Sequence, residues 1–150
     1  MVHLQPVDRT NWADCGKLSL LPEQQANVAS NLHTIAESKF ETHYTLRAIY
    51  HGKTVVGMLA YCPEDEPYDP ALYWIFRLLI DREHHRRGYA YAAMQLAVAE
   101  IWSLGANRIL TMHKPANTTA AALYAKLGFS STGKRLDDGD LLLEMLRQPE

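Results

Sequence analysis

A chain of 150 residues with a formal net charge of −2 is long enough for one domain with a full core, and that charge excludes a generic nucleic-acid binder. Cys15 and Cys62 cannot build a disulfide framework, and neither stands in a C-x-x-C spacing, so both are read as reduced and buried. The N-terminus alternates apolar and polar residues without a continuous apolar run, and no stretch approaches the length of a membrane span; the expectation is a single cytoplasmic domain over residues 1–150 with no membrane or nucleic-acid partner.

In chain order, Val2, Leu4 and Val7 flank His3 and Gln5, and Pro6 points to an edge strand. Thr10 or Asn11 is placed to cap a short helix to about Leu20, and Pro22 to open a second in which Val28, Leu32, Ile35 and Ala36 share a face. Tyr44 to Tyr50 and Thr54 to Cys62 are rich in aromatic and branched residues and flank His51-Gly52-Lys53, the pattern of an antiparallel hairpin, with Gly57 marking a bulge. Pro63 to Pro70 holds three prolines and four acids, and is read as a loop. Its Glu64, Asp65 and Glu66 form either a solvated connector or an acidic lip over a cation-binding site.

Trp74 to Ile80 is a short, branched and aromatic run whose near-continuous apolar character suits a central strand covered on both faces. After it come Arg82, His84, His85, Arg86 and Arg87, then Gly88 and Ala90 at the mouth of a long helix. That helix places Ala93, Leu96, Ala97, Ile101 and Leu104 on one face, and Gly105 stops it. A helix start leaves backbone N–H groups without partners and carries partial positive charge, so strand, basic turn and helix together outline a phosphate site. Arg108 to Met112 is a further strand. Asn117 caps a helix over Thr118 to Leu127, Gly128 ends it, and Phe129 to Arg135 and Leu141 to Leu146 form a last hairpin around Asp137-Asp138-Gly139. The order β-α-α-β-β-β-α-β-α-β-β is α+β, a mixed sheet with helices on it. Trp12, Trp74 and Trp102 are read as core aromatics. His84 and His85 are adjacent and the other histidines show no metal-ligand spacing, so no metal is expected.

His85 to Ala90, taken with Asn117, Leu123, Tyr124, Leu127, Gly128 and Phe129, resembles the GCN5-related N-acetyltransferase (GNAT) superfamily over most of the chain. Gly88 and Ala90 meet that family's pyrophosphate motif, with His85 where Gln or Arg is usual. The resemblance implies a mixed, mostly antiparallel sheet of about seven strands flanked by about four helices, acetyl-CoA as co-substrate, and a possible homodimer. It also implies that the backbone of Leu78, Leu79 and Ile80 clamps the acetyl-pantetheine arm and that Arg86, Arg87, Gly88, Tyr89, Ala90 and Tyr91 cradle the pyrophosphate. Asn117 would bind the pantetheine or cap the helix beside it, and Tyr124 would lie near the sulfur. Arg77 to Asp81 and the ending at Gly133 look most like the spermidine/spermine N-acetyltransferase branch; at the position where that branch carries a carboxylate stands Phe76, followed by Arg77.

The implied chemistry is direct attack of a primary amine on the thioester, through a tetrahedral oxyanion held by a strand N–H around Leu79. An amine with a pKa near 10.4 must lose a proton first, at a cost of roughly 4–5 kcal/mol at neutral pH. Glu64, Asp65 and Glu66 could accept it, yet an anionic lip also raises the amine pKa; they are read as an anchor for a distal ammonium, with the base unassigned. Tyr124 would protonate the departing thiolate, or else be an aromatic packed on the sheet. The acceptor expected is a small cationic molecule such as a polyamine. The rivals are an aminoglycoside, an amino acid or a peptide N-terminus, and a CoA-binding regulatory module without turnover.

Overall fold

The computed structural model describes residues 1–19 and 30–149. Seven strands form one sheet in the order β1-β2-β3-β4-β5-β7-β6. These are β1 (Val2–Pro6), β2 (Thr45–His51), β3 (Thr54–Asp65), β4 (Tyr68–Ile80), β5 (Arg108–His113), β6 (Ser130–Arg135) and β7 (Leu141–Leu146). All neighbours are antiparallel except β4 and β5. Four helices accompany them: α1 (Trp12–Lys17), α2 (Asn31–Ser38), α3 (Tyr89–Ser103) and α4 (Thr118–Leu127). The expected α+β architecture of seven strands and four helices is therefore what the described residues form.

Two apolar layers sandwich the sheet. On one face α3 and α4 cover Ile49, Leu59, Tyr61, Ile75 and Ile109; on the other, Cys15, Ala48, Met58 and Ala60 pack with Val7, Ile35, Tyr44 and Phe76. Both cysteines are free and buried. A half-buried polar link ties α3 to the sheet: Tyr61 donates its hydroxyl hydrogen to Glu100 at 2.7 Å, and Arg47 Nε donates to the same carboxylate at 3.1 Å.

Several sequence expectations change. Pro63 to Pro70 is not a loop: β3 runs on to Asp65 and β4 begins at Tyr68, with Asp65 opposite Tyr68 and Glu64 opposite Asp69. Prolines exclude helix, but at the outer end of a hairpin their missing N–H groups leave a strand intact. The buried stripe of α3 is Ala93, Met94, Ala97 and Ile101, while Leu104 is 54% exposed and Leu96 also faces outward. The stripe drifts by one position because 3.6 residues per turn favours Met94 over Leu96 beside Ala93 and Ala97. Trp12 is 48% exposed, so it is not a core aromatic. Asn11 precedes α1 but does not cap it. It is buried, accepting from the Asp8 N–H at 2.9 Å and donating to the Pro6 carbonyl and the Tyr50 hydroxyl. α1 ends at Lys17 rather than near Leu20. The opening of the second helix at Pro22, with Val28 on its face, falls outside the described residues. The described part, α2, starts at Asn31 under a Ser30 cap and leaves Leu32 half exposed.

The bulge expected at Gly57 is present beside it: the register between β2 and β3 shifts after Ile49, which faces Gly57, to Tyr50, which faces Val55. Glycine is required there by contact. A Cβ at this position would stand 2.5 Å from the Leu79 carbonyl oxygen.

Candidate active site

β4 is paired along one edge and opens along the other. β5 meets it only at Leu72, Tyr73 and Trp74, opposite Arg108, Ile109 and Leu110. The Thr111 hydroxyl then donates to the Ile75 carbonyl at 2.8 Å, a side chain taking over where the backbone ladder ends. The cause of the parting lies in the β3 register: Ala60 faces Arg77 but Tyr61 faces Ile75, so Phe76 is an extra residue. Such a bulge bends its strand and ends regular pairing.

Beyond the bulge the hydrogen-bond alternation is fixed by the Asp81 N–H, which donates to the Val56 carbonyl at 2.8 Å. Counting back by twos, Leu79 and Arg77 turn their backbone groups toward β3, and Leu78 and Ile80 turn theirs toward the open side. On that side His85 Nε2 donates to the Ile80 carbonyl at 2.7 Å.

The opening is a cleft of about 750 Å³, walled by Ile75 to Leu78 and Ile80 from β4 and by Thr111 to Lys114 from β5 and its continuation. His84 to Arg86 and Gly88 to Tyr91 close one end, α4 contributes Ala120 and Tyr124, and the turn before β7 contributes Asp138 and Asp140. Of the expected cofactor-binding residues, Leu78, Ile80, Arg86, Gly88, Tyr89, Ala90, Tyr91 and Asn117 come together on this wall; Leu79 and Arg87 do not.

At the closed end Arg86 and Gly88 take left-handed φ values of +64° and +77°, which swing the chain from β4 into α3. Gly88 is the N-cap, and Ala92 is the first residue whose N–H reaches back, to Gly88 at 3.1 Å. The N–H groups of Tyr89, Ala90 and Tyr91 therefore have no partner within the helix and give the cleft a partial positive charge. Arg86, Lys114 and Lys126 reinforce it, with Lys126 Nζ 4.3 Å above the Tyr91 ring. This donor set fits a phosphorylated ligand.

At the junction with β5, Tyr124 is 7% exposed and packs edge-on to Phe129. Burial pushes its pKa up, partly countered by the neighbouring Thr111 side chain, so it keeps its proton at neutral pH. His113, not singled out as a site residue by the sequence, lies beside it on the same wall; its Nδ1 donates to the Lys114 carbonyl at 2.8 Å. Asn117 Oδ1 accepts from the Ala120 N–H at 3.1 Å, capping α4.

Glu64, Asp65 and Glu66 sit at the tip of the β3–β4 hairpin, away from the cleft wall. Glu64 is engaged there, accepting the Trp74 indole N–H at 2.8 Å. Asp65 approaches Glu41 and His43, with ligand atoms of all three within 4.8 Å; two of the three are exposed and none lines the cleft. The acids that do face the cleft are Asp138 and Asp140, the latter 3.9 Å from Lys114 Nζ. Arg77 also lines it, held by Thr34 and by the Phe76 carbonyl. Sequence gave no sign of these placements, because each depends on which way a turn or a bulge points.

Residues 9–129 match the model of the Acetyltransferase (GNAT) family. The chain belongs to that family. Among curated relatives, N-acetyltransferase 8 of Homo sapiens is 31% identical over 81 residues, 53% of this chain and 36% of that protein, so the match spans about a third of that relative's length. Among solved structures, the GNAT fold here superposes on aminoglycoside acetyltransferase AAC(6')-Ib in complex with coenzyme A at a TM-score of 0.82, with 17% identity over 99% of this chain and 96% of that one. The spermidine N-acetyltransferase from Vibrio cholerae, in complex with CoA and spermine, gives 0.78 with 14% identity over 97% and 95%. The ribosomal-protein-S18-alanine N-acetyltransferase from Escherichia coli gives 0.73 with 16% identity over 100% and 97%. At these identities the likeness is one of fold, and the acceptors in the names of those three enzymes differ. No helix among the described residues is long and apolar enough to cross a membrane.

Proposed function

We propose that the protein transfers the acetyl group of acetyl-CoA to a primary amine of a small acceptor. The observation that carries this reading is a single cleft joining the open edge of β4, the N-terminal turn of α3 and the protonated Tyr124.

Acetyl-CoA supplies an activated acyl thioester with an anionic handle. The backbone groups of Leu78 and Ile80 face the side where an amide-bearing arm would extend β4 as an added strand, a role that Leu79 supports only by packing. The N–H groups of Tyr89, Ala90 and Tyr91, with Arg86, receive phosphate oxygens, while Arg87 adds a screened charge from outside the wall. Asn117 Oδ1 is committed to its cap, which leaves its amide N–H groups for the ligand. The acceptor nitrogen attacks the thioester carbon, the C–S bond breaks, and the Tyr124 hydroxyl gives its proton to the leaving sulfur. The oxyanion falls to a strand N–H on the cleft side, Leu78 rather than Leu79. The acceptor ammonium loses one proton to solvent before it attacks, and the proton that the nitrogen sheds as the amide forms restores the Tyr124 hydroxyl.

A polyamine acceptor draws on the likeness of Arg77 to Asp81 and of the ending at Gly133 to the spermidine/spermine branch, but the acids that would anchor its distal ammonium, Glu64, Asp65 and Glu66, lie off the cleft. The acceptor is therefore argued from the cleft itself, below. The test is thermal unfolding with and without acetyl-CoA, followed by thiol release across primary amines. Stabilisation by acetyl-CoA and amine-dependent release are expected; no stabilisation at saturating acetyl-CoA would sink the reading, and stabilisation without any amine-dependent release would favour a regulatory module.

A further inference from the structure

Within the acetyltransferase reading, on which this rests, we propose that Arg77 selects the acceptor, and that the acceptor carries a carboxylate or comparable anion beside the amine to be acetylated. An α-amino acid or a molecule built on one has that chemistry.

Arg77 directly follows the bulge residue Phe76, at the point where β4 leaves β5, and it lines the cleft with its side chain 30% exposed. Its guanidinium is held from behind. Nε donates to Thr34 Oγ1 at 3.2 Å, Nη1 donates to the Phe76 carbonyl at 2.8 Å, and the cation stands over the Phe76 ring at 5.3 Å. Among the described residues the nearest carboxylate, Glu37, is 3.9 Å from Nη2, a loose ion pair beyond hydrogen-bond distance, and the same oxygen faces His33 at 3.5 Å. A guanidinium has five N–H donors, and the two hydrogen bonds above occupy two of them. What is left is a fixed planar fork whose remaining donors suit a carboxylate.

Two physical requirements meet in this arrangement. A polycation would bring like charge against Arg77, whereas an acceptor anion would satisfy its open donors. Moreover, a protein carboxylate that anchors an ammonium also raises the amine pKa and opposes its deprotonation. Anchoring by the acceptor's own anion avoids that conflict, because the added protein charge near the amine is positive. The chemical step is unchanged: the N–C bond forms, the C–S bond breaks, and the acceptor carboxylate takes no part.

The test uses several α-amino acids, each compared with its amide and its decarboxylated amine, plus spermidine, by thiol release with saturating acetyl-CoA. In the wild type the carboxylate form should exceed its two partners by about 10-fold or more in kcat/KM, the range of a hydrogen-bonded ion pair. Arg77→Gln should collapse that ratio toward one, mainly through KM, Arg77→Lys should keep part of it, and Arg77→Glu should move the preference toward spermidine. Melting temperatures check that each variant folds. Spermidine or the decarboxylated amines winning in the wild type, or a ratio untouched by Arg77→Gln, would overturn the proposal. If no amine is turned over, calorimetry on the CoA-saturated protein compares N-acetyl amino acids with their methylamides, and no preference for the acid again overturns it. Failure of acetyl-CoA to bind would instead strike the acetyltransferase reading, which separates the two.

Discussion

Along its β3 edge β4 is paired at both ends, Tyr68 to Asp69 and Tyr73 to Ile80, with a bulge at Phe76 and an irregularity over residues 70–72; along its β5 edge it is paired at three residues and then borders a cleft. The two edges have the same sequence and different partners. On the paired edge close contact decides what is tolerated, as at Gly57 against the Leu79 carbonyl. On the open edge His85 takes the Ile80 carbonyl, and the Leu78 backbone groups and the Ile80 N–H are left for something that is not part of the chain. Stability and binding are thus divided between the two sides of one strand, and substitutions should sort accordingly.

The largest effect is expected from Gly57→Val on the paired edge. Its branched side chain would meet backbone, which cannot rotate away, so a loss of about 3 kcal/mol or more is expected, a fall of roughly 10 °C in melting temperature for a chain of this size. A melt followed by circular dichroism reads it; a shift of only a degree or two would mean that the ladder between β3 and β4 gives way easily. Acid and base probe the same side. Burial pushes the Cys62 thiol, on β3, up to about 12 and the Cys15 thiol, on the buried face of α1, up to about 11. Both pKa values are raised in the folded state, so their contribution is fully present below the ordinary thiol range near 8.5 and is lost as pH rises through the folded values. Stability should fall from about pH 8.5 toward 11 by up to about 3 kcal/mol per thiol. Cys15→Ala and Cys62→Ala should each flatten that slope, and an unchanged slope would show that the thiols are not its source.

On the open edge Tyr124→Phe should keep the packing against Phe129 and remove the proton. A fall of about 100-fold in kcat is expected, the low end of general-acid effects, with acetyl-CoA affinity little changed. A kcat within twofold of wild type would leave Tyr124 as an aromatic on the sheet.

How far the sequence could be read follows the same division. The strand at Trp74 to Ile80, the glycine turn at Gly88 and the Asn117-to-Phe129 helix are local signals, and they lie where spacing put them. What failed depends on contacts distant in sequence. Pro63 to Pro70 has the composition of a loop, yet β3 and β4 continue through it to a tight turn. With that, Glu64 went to the Trp74 indole instead of the cleft. Arg77 and Asp140 carry no local mark at all: one is aimed by a bulge defined only against Tyr61, the other by the turn before β7. Leu78 and Leu79 are alike in sequence, and only the pairing of Asp81 with Val56 tells which of them faces the ligand side.

The smallest effect, at Asn117, separates the two kinds of contribution within one residue. Its Oδ1 caps α4 through the Ala120 N–H, so Asn117→Ala should cost about 1 kcal/mol of stability, a few degrees in melting temperature. The same change removes an amide from the cleft wall and should weaken acetyl-CoA binding as well. Asn117→Asp parts the two roles. Its carboxylate still accepts from Ala120 and favours the positive end of α4, so the melting temperature should match wild type or exceed it. It has no N–H to donate, however, and it puts a negative charge on a wall that receives a phosphorylated ligand. Acetyl-CoA affinity measured by calorimetry should then fall in both variants while stability falls only in alanine. Equal affinity for aspartate and wild type would assign Asn117 to the helix alone, and would leave Leu78, Ile80 and the first turn of α3 as the backbone that holds the ligand.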